Sequence, residues 1–207
     1  MPPTPLIIVI GPPASGKTAL AHHLAADLRL PLLSRDDFKE RLFDTLGTGW
    51  PTAPAGPNHD ERDREWSRRL GGASYELLWW ALEVNLAAGV ATIVESNFPA
   101  PRATARFRDR AARHPFVARQ VNCVADGAVL LRRHRERAAS GERHPGHGDD
   151  LDDALRAVFR RGRLDPLDLP GTTIEVDTTD FVALDYNFLL TSLRAWLAAP
   201  THDHGII

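Results

Sequence analysis

The stretch "LIIVIGPPASGKT", Leu6 to Thr18, decides the fold. Its first five residues are apolar and mostly β-branched, the pattern of a short strand buried on both faces. The next eight, Gly11 to Thr18, match G-x-x-x-x-G-K-[ST]. At average residue usage a chance match in a chain this long is on the order of one in a hundred. This match also stands between an apolar strand and the helical spacing of Leu20, Leu24 and Leu28, the context the motif requires. Glycines let the backbone wrap a phosphate with consecutive N–H groups turned inward, and the helix that follows adds partial positive charge. Gly11, Pro12, Pro13, Ala14, Ser15, Gly16, Lys17 and Thr18 are therefore expected to hold the phosphates of a nucleotide. Lys17 reaches the β and γ phosphates, and the Thr18 hydroxyl ligates Mg²⁺.

Working outward, "LPLLS" is a second short strand ending at Ser34, followed by a helix from Asp36 or Asp37 to Leu46. "VATIV" (90–94), "FVARQVNCV" (116–124) and "TTIEVDTT" (172–179) complete five apolar strands. Helices are expected over Ser74–Ala88 with Gly89 as C-cap, from Pro101 to His114, over 126–140, over 151–161 and from Val182 to Ala198. Residues 47–58, rich in Gly and Pro, cannot be regular structure. Strands alternating with helices predict an α/β fold: a five-stranded parallel sheet with helices on both faces, one domain over residues 1–200, and a loose tail at 201–207. Ligands bind beyond the carboxyl ends of such strands, so the segments after Ile10, Leu33, Val94, Val124 and Val176 are expected around one crevice.

Composition bounds the function. The chain has 207 residues, 43% apolar and 25% charged, with a net charge of −2, so no global basic field draws in nucleic acid. A single cysteine, Cys123, excludes an internal disulfide and reads as a buried thiol. No apolar run has the length of a membrane span, and nothing resembles a signal peptide; a cytoplasmic protein is expected, with no membrane and no obligate protein partner implied. Only two of the 25 basic residues are lysines, Lys17 and Lys39, and both fall in the segments that matter.

"SRDDFKERLF" (34–43) sets two aspartates side by side at the mouth of the crevice. A phosphotransferase needs a carboxylate there to orient and deprotonate the acceptor hydroxyl. Two further readings stand: Asp37 as that base, or both aspartates as helix-terminal residues. With the phosphate loop, this run resembles the polynucleotide kinase, zeta toxin and chloramphenicol phosphotransferase group of P-loop kinases, whose fold is that of the nucleoside-monophosphate-kinase-like P-loop NTPases with a helical lid. The resemblance implies Asp36 as general base, Asp37 as the N-terminal residue of its helix, and Lys39 near the acceptor.

"TIVESNF" ends a buried strand in Glu95, the usual place of a metal-holding acid, although that strand has no aspartate of its own. The resemblance places substrate-binding residues just after it, with Ser96 and Asn97 as candidates. It also implies a lid over about 132–150 and an acceptor region over about 44–88. Among the lid arginines, Arg133 and Arg137 are four apart and are expected to face inward together with Arg143. His144 and His147 form a weak metal pattern and read as polar lid residues. Asp177 and Thr178, after the fifth strand, are candidates for the adenine side. Arg102, Arg106, Arg110 and Arg113 form either a stripe for a polyanion or a solvated face. Trp66, Tyr75, Trp79 and Trp80 read as core, and Trp50 as an exposed aromatic near the acceptor. The expected function is transfer of the γ-phosphate of ATP, with Mg²⁺, to a hydroxyl of a small molecule. The alternatives are a polynucleotide 5′-hydroxyl kinase, with nucleic acid as partner, and a nucleotide-binding regulatory protein that is not a kinase.

Overall fold

The computed structural model describes residues 2–47, 59–140, 144 and 151–199, with the backbone alone for 59–64. The elements run β1 (Thr4–Ile10), α1 (Lys17–Leu28), β2 (Leu32–Ser34), α2 (Arg35–Leu46), α3 (His59–Ala87), β3 (Thr92–Glu95), α4 (Ala100–Arg113), β4 (Phe116–Val124), α5 (Gly127–Ala139), α6 (Asp153–Arg161), β5 (Gly171–Asp177) and α7 (Tyr186–Ala198). The strands form one sheet in the order β2-β3-β1-β4-β5, every pairing parallel. The five-stranded parallel α/β fold expected from the alternation is therefore the one observed.

Period-two alternation along β1 divides the core. Leu6, Ile8 and Ile10 pack with Leu78, Trp79, Leu82 and Phe107 of α3 and α4, whereas Ile7 and Val9 pack with Leu20 and Leu24 of α1 and with Leu189 and Leu193 of α7. Register fixes the ends of three strands beside one another: Val9 pairs with Glu95, and Glu95 with Ser34. The C-terminal edge of the sheet thus carries the phosphate loop, the acid of β3 and the start of α2 within one neighbourhood. Among the described residues, no helix is long and apolar enough to cross a membrane.

Three expectations need correction. Helix α3 begins at His59, not Ser74. Its first turns carry charged residues without an apolar period, and Gly71-Gly72 reads as a break. Gly71 instead leaves room for a neighbour, since a Cβ there would lie 2.8 Å from Arg35 Nη2. Helix α7 begins at Tyr186, four residues late, because the Asp185 side chain caps it by accepting from the Phe188 N–H. Of the four aromatics read as core, Trp79 is buried, but Trp80 is 66% exposed and Trp66 donates its indole N–H to the Gly47 carbonyl. Three of the four α4 arginines engage the protein itself. Arg106 pairs with Glu76, Arg113 with Glu83 and Asp109, and the buried Arg110 lies over the Trp79 ring and donates to the Trp79 carbonyl. The expected Gly89 cap is present: its φ is +68°, and the Val90 N–H closes back to the Asn85 carbonyl. Trp50, the 47–58 loop beyond Gly47, Arg143, His147 and the tail at 201–207 lie outside the described residues.

Phe107 is fully buried, with ring centroids 4.8 Å from Trp79 and 5.3 Å from Phe98. Phe107→Ala should cost about 3–5 kcal/mol, read as a lowered denaturant midpoint at unchanged slope; an unchanged midpoint would show that this aromatic layer does not hold the sheet.

Candidate active site

The phosphate loop owes its shape to two residues with positive φ, Ala14 at 63° and Gly16 at 77°. A left-handed backbone reverses the chain tightly and turns successive N–H groups to one side, forming an anion-binding concavity. The loop is pressed onto β4 at Gly11, where a Cβ would fall 2.8 Å from that of Cys123, so a side chain at this position has no room. Cys123 is fully buried beneath it, and burial pushes its thiol up to about 12. Gly16 is backed by the Phe181 ring, which a Cβ would strike at 2.2 Å.

Glu95 is 1% exposed. One carboxylate oxygen, Oε2, accepts from the Ser34 hydroxyl at 2.9 Å, and Oε1 lies 3.8 Å from Lys17 Nζ with no hydrogen-bond partner among the described residues. Burial raises the Glu95 carboxyl above its ordinary value, with Lys17 and Ser34 opposing the rise. The Ser34 hydroxyl also accepts from the Asp37 N–H at 3.4 Å, which makes Ser34 the N-cap of α2. The cap expected at the aspartates thus falls at Ser34, two residues before Asp36. Asp37 turns outward, with Oδ2 3.4 Å from His22 Nε2. Asp36 faces the cleft, its Oδ1 accepting from Arg35 Nη1 at 2.7 Å.

The cleft has a volume of about 480 Å³ and joins Pro13, Ala14, Gly16, Lys17 and Thr18 to Arg35, Asp36, Lys39, Ser96, Asn97, His134, Arg137 and Leu155. Arg35 is a site residue that had no role in the sequence reading. It binds Asp36, fits against Gly71, and stacks 5.2 Å from the centroid of the Tyr75 ring. Lys39 is 6% exposed and donates to Ser67 Oγ at 2.8 Å. Tyr75, read as core, also belongs to the site: its hydroxyl lies 2.9 Å from Ser96 Oγ and donates to Asn97 Oδ1 at 3.1 Å. Neither residue had a local signal, because each acquires its role only across α3.

Of the arginines expected to face inward from the lid, Arg133 and Arg137 do not face the same way. Arg137 lines the cleft together with His134, whereas Arg133 donates to the Thr178 and Thr179 carbonyls at 2.9 and 3.0 Å and stacks 4.5 Å over Phe181. The cleft side of α5 runs through residues 134 and 137, three apart, and Arg133 lies one position round the helix. It fastens the segment after β5 down onto the phosphate loop. Asp177 and Thr178 are likewise engaged within the fold: Asp177 Oδ1 accepts from the Thr179 N–H, and the Thr178 hydroxyl donates to the Val124 carbonyl. Neither lines the cleft. His144 contacts α2, 2.9 Å from Asp44 Oδ1 and edge-on to Phe43.

Sheet order, phosphate loop and the acid at the end of β3 define a P-loop NTPase fold of the kinase type. A family model described as an AAA domain matches residues 6–161, and the chain belongs to that family. A crystal structure from Chloroflexus aurantiacus J-10-fl, provisionally described as a kinase, is 42% identical with a TM-score of 0.81, covering 94% of this chain and 98% of that one. An unliganded sugar kinase from Janibacter sp. HTCC2649 is 21% identical with a TM-score of 0.51, covering 94% and 95%, a likeness of fold. No curated protein matches.

The raised Glu95 carboxyl has a consequence for stability. A carboxyl whose folded value exceeds its unfolded one binds its proton more tightly when folded, so stability falls as pH rises above the ordinary 4.5. Glu95→Gln should therefore raise the melting temperature at neutral pH, with the gain shrinking as pH is lowered toward 4.5. A lower melting temperature at neutral pH would mean that the Lys17 and Ser34 contacts outweigh desolvation.

Proposed function

We propose that the protein is an ATP-dependent phosphotransferase that moves the γ-phosphate of ATP to a hydroxyl of a small molecule of nucleoside, sugar or antibiotic type. The observation that carries this reading is that Asp36 opens into the same cleft as Lys17 and Thr18. Two buried polar atoms at the phosphate loop, Ser15 Oγ and Glu95 Oε1, have no hydrogen-bond partner among the described residues, and the loop backbone is turned for an anion. These features fit Mg·ATP. Gly11 to Thr18 would hold the phosphates, with Thr18 and Glu95 on the metal. When bound, Mg²⁺ supplies charge neutralisation on the phosphate oxygens.

The chain's own groups carry the rest. Lys17 and Arg137 neutralise charge on the transferring group, and Arg143 is assigned the same task from the lid. Lys39, Ser96 and Asn97 bind and orient the acceptor. Asp36, held by Arg35, takes the hydroxyl proton as the new O–P bond forms in line and the bond to ADP breaks. A cleft of about 480 Å³ suits a small acceptor beside the phosphates. The polynucleotide alternative rests on the Arg-Asp-Asp run at 35–37. The pairing of Arg106, Arg110 and Arg113 within the protein disfavours a polyanion track along α4.

The test is transfer from γ-labelled ATP with Mg²⁺, to 5′-hydroxyl oligonucleotides in one tube and to a nucleoside, sugar and aminoglycoside panel in the other. Label is expected on a small molecule. Asp36→Asn should lower transfer by about 10²–10⁴-fold while ATP affinity stays within about twofold; near-normal turnover would remove Asp36 from the mechanism. Gly71→Ala, which crowds Arg35 from α3, should slow turnover roughly tenfold, about 1.4 kcal/mol of barrier, with ATP binding unchanged. Equal turnover in that variant would show that Arg35 does not set the position of Asp36.

A further inference from the structure

A second cavity, of about 210 Å³, lies beside the cleft between α3 and α4. It is lined by Tyr75, Trp79, Phe98, Pro99, Arg102 and Arg106. We infer that this cavity is a subsite for the acceptor's non-reacting end, taking a single aromatic or heteroaromatic ring with an acidic group beside it. The inference rests on the phosphotransferase reading and narrows its substrate class.

Three observations carry it. The first is continuity with the cleft. Tyr75 contributes its ring to this cavity, while its hydroxyl bonds Ser96 and Asn97, both of which line the cleft that holds Asp36. One side chain is therefore the wall between the two spaces. Phe98, Pro99 and Arg102 continue the chain directly from Asn97, so the cavity sits at the same C-terminal edge of the sheet. The second is size. At about 30 Å³ per water the space equals roughly seven waters, which suits one ring system rather than a whole acceptor. The third is charge. The half-buried Tyr75 ring is the accessible aromatic wall, with Trp79 and Phe98 behind it at 2% and 1% exposure, and the rim holds two arginines, of which only one is matched. Arg106 pairs with Glu76 at 2.7 Å and lies over Trp79, whereas Arg102 is exposed and meets no carboxylate among the described residues. Aromatic walls with an unmatched guanidinium at the mouth select a flat apolar group next to an anion.

The experiment measures binding separately from turnover. The full chain is titrated with uridine 3′-monophosphate (ring and anion), uridine (ring alone) and glycerol 3-phosphate (anion alone), with side-chain NMR signals of Trp79 Nε1 and Arg102 Nε as reporters. The monophosphate is expected to shift both signals and to bind at least tenfold more tightly than either partial probe. Arg102→Ala should remove that advantage, leaving the monophosphate no tighter than uridine. Asp36→Asn should bind it as the wild type does. Equal affinity for all three probes, shifts confined to cleft residues, or an unchanged preference in Arg102→Ala would each overturn the subsite. If the monophosphate binds as expected but no acceptor is ever labelled from ATP, the subsite stands and the phosphotransferase reading falls.

Discussion

A carboxylate with almost no access to water, Glu95, ties the working edge of this protein together. Burial of a charge is costly unless neighbours compensate for it, and here the compensation comes from two different elements. Lys17 reaches it from the first turn of α1, and the Ser34 hydroxyl from the end of β2. Ser34 spends its remaining capacity on the Asp37 N–H and so caps α2. The phosphate loop, the acid of β3 and the helix that carries Asp36 are thereby referred to one buried group. The register of β1, β3 and β2, which aligns Val9, Glu95 and Ser34, makes this meeting possible.

Around that group the cleft is built asymmetrically. The nucleotide side is made from contiguous sequence, eight residues of loop and helix N-terminus, stiffened from below by Cys123 and from the side by Phe181. The opposite side is assembled from separate elements. Arg35 of α2 is placed by Gly71 and Tyr75 of α3, and Tyr75 in turn reaches Ser96 and Asn97 after β3. Helix α5 adds Arg137 and His134. A phosphate loop made of contiguous residues thus sits beside a wall whose members touch only after folding.

The two halves were legible to different degrees for this reason. Lys17, Thr18, Asp36 and Glu95 could each be picked from a strand end followed by a motif, and the structure brings Lys17, Thr18 and Asp36 to one cleft with Glu95 against Lys17. Arg133 and Arg137 could not be separated by spacing, since four residues apart is only approximately one helical face. The Thr178 and Thr179 carbonyls decided between them. Asp177 and Thr178 sit where the strand ends, as expected, but their side chains serve turns and β4. Trp79 and Trp80 are adjacent and alike in sequence, and only the packing of α3 on the sheet determines that one is buried and the other exposed.

What the sequence by itself determined is the fold class and the phosphate site. Both rest on local rules: apolar runs bounded by glycine, helix periodicity, and a loop whose backbone conformation follows from its own residues. Tertiary structure alone decided which of Arg133 and Arg137 faces the cleft and what Arg35 and Tyr75 do, whereas the Ser34 cap closes on the Asp37 N–H three residues on and is local. The tertiary contacts of Tyr75 and Arg133 lie 21 to 46 residues away along the chain. Period and propensity describe a residue's neighbours along the chain; they hold no information about which side chain arrives from across the sheet.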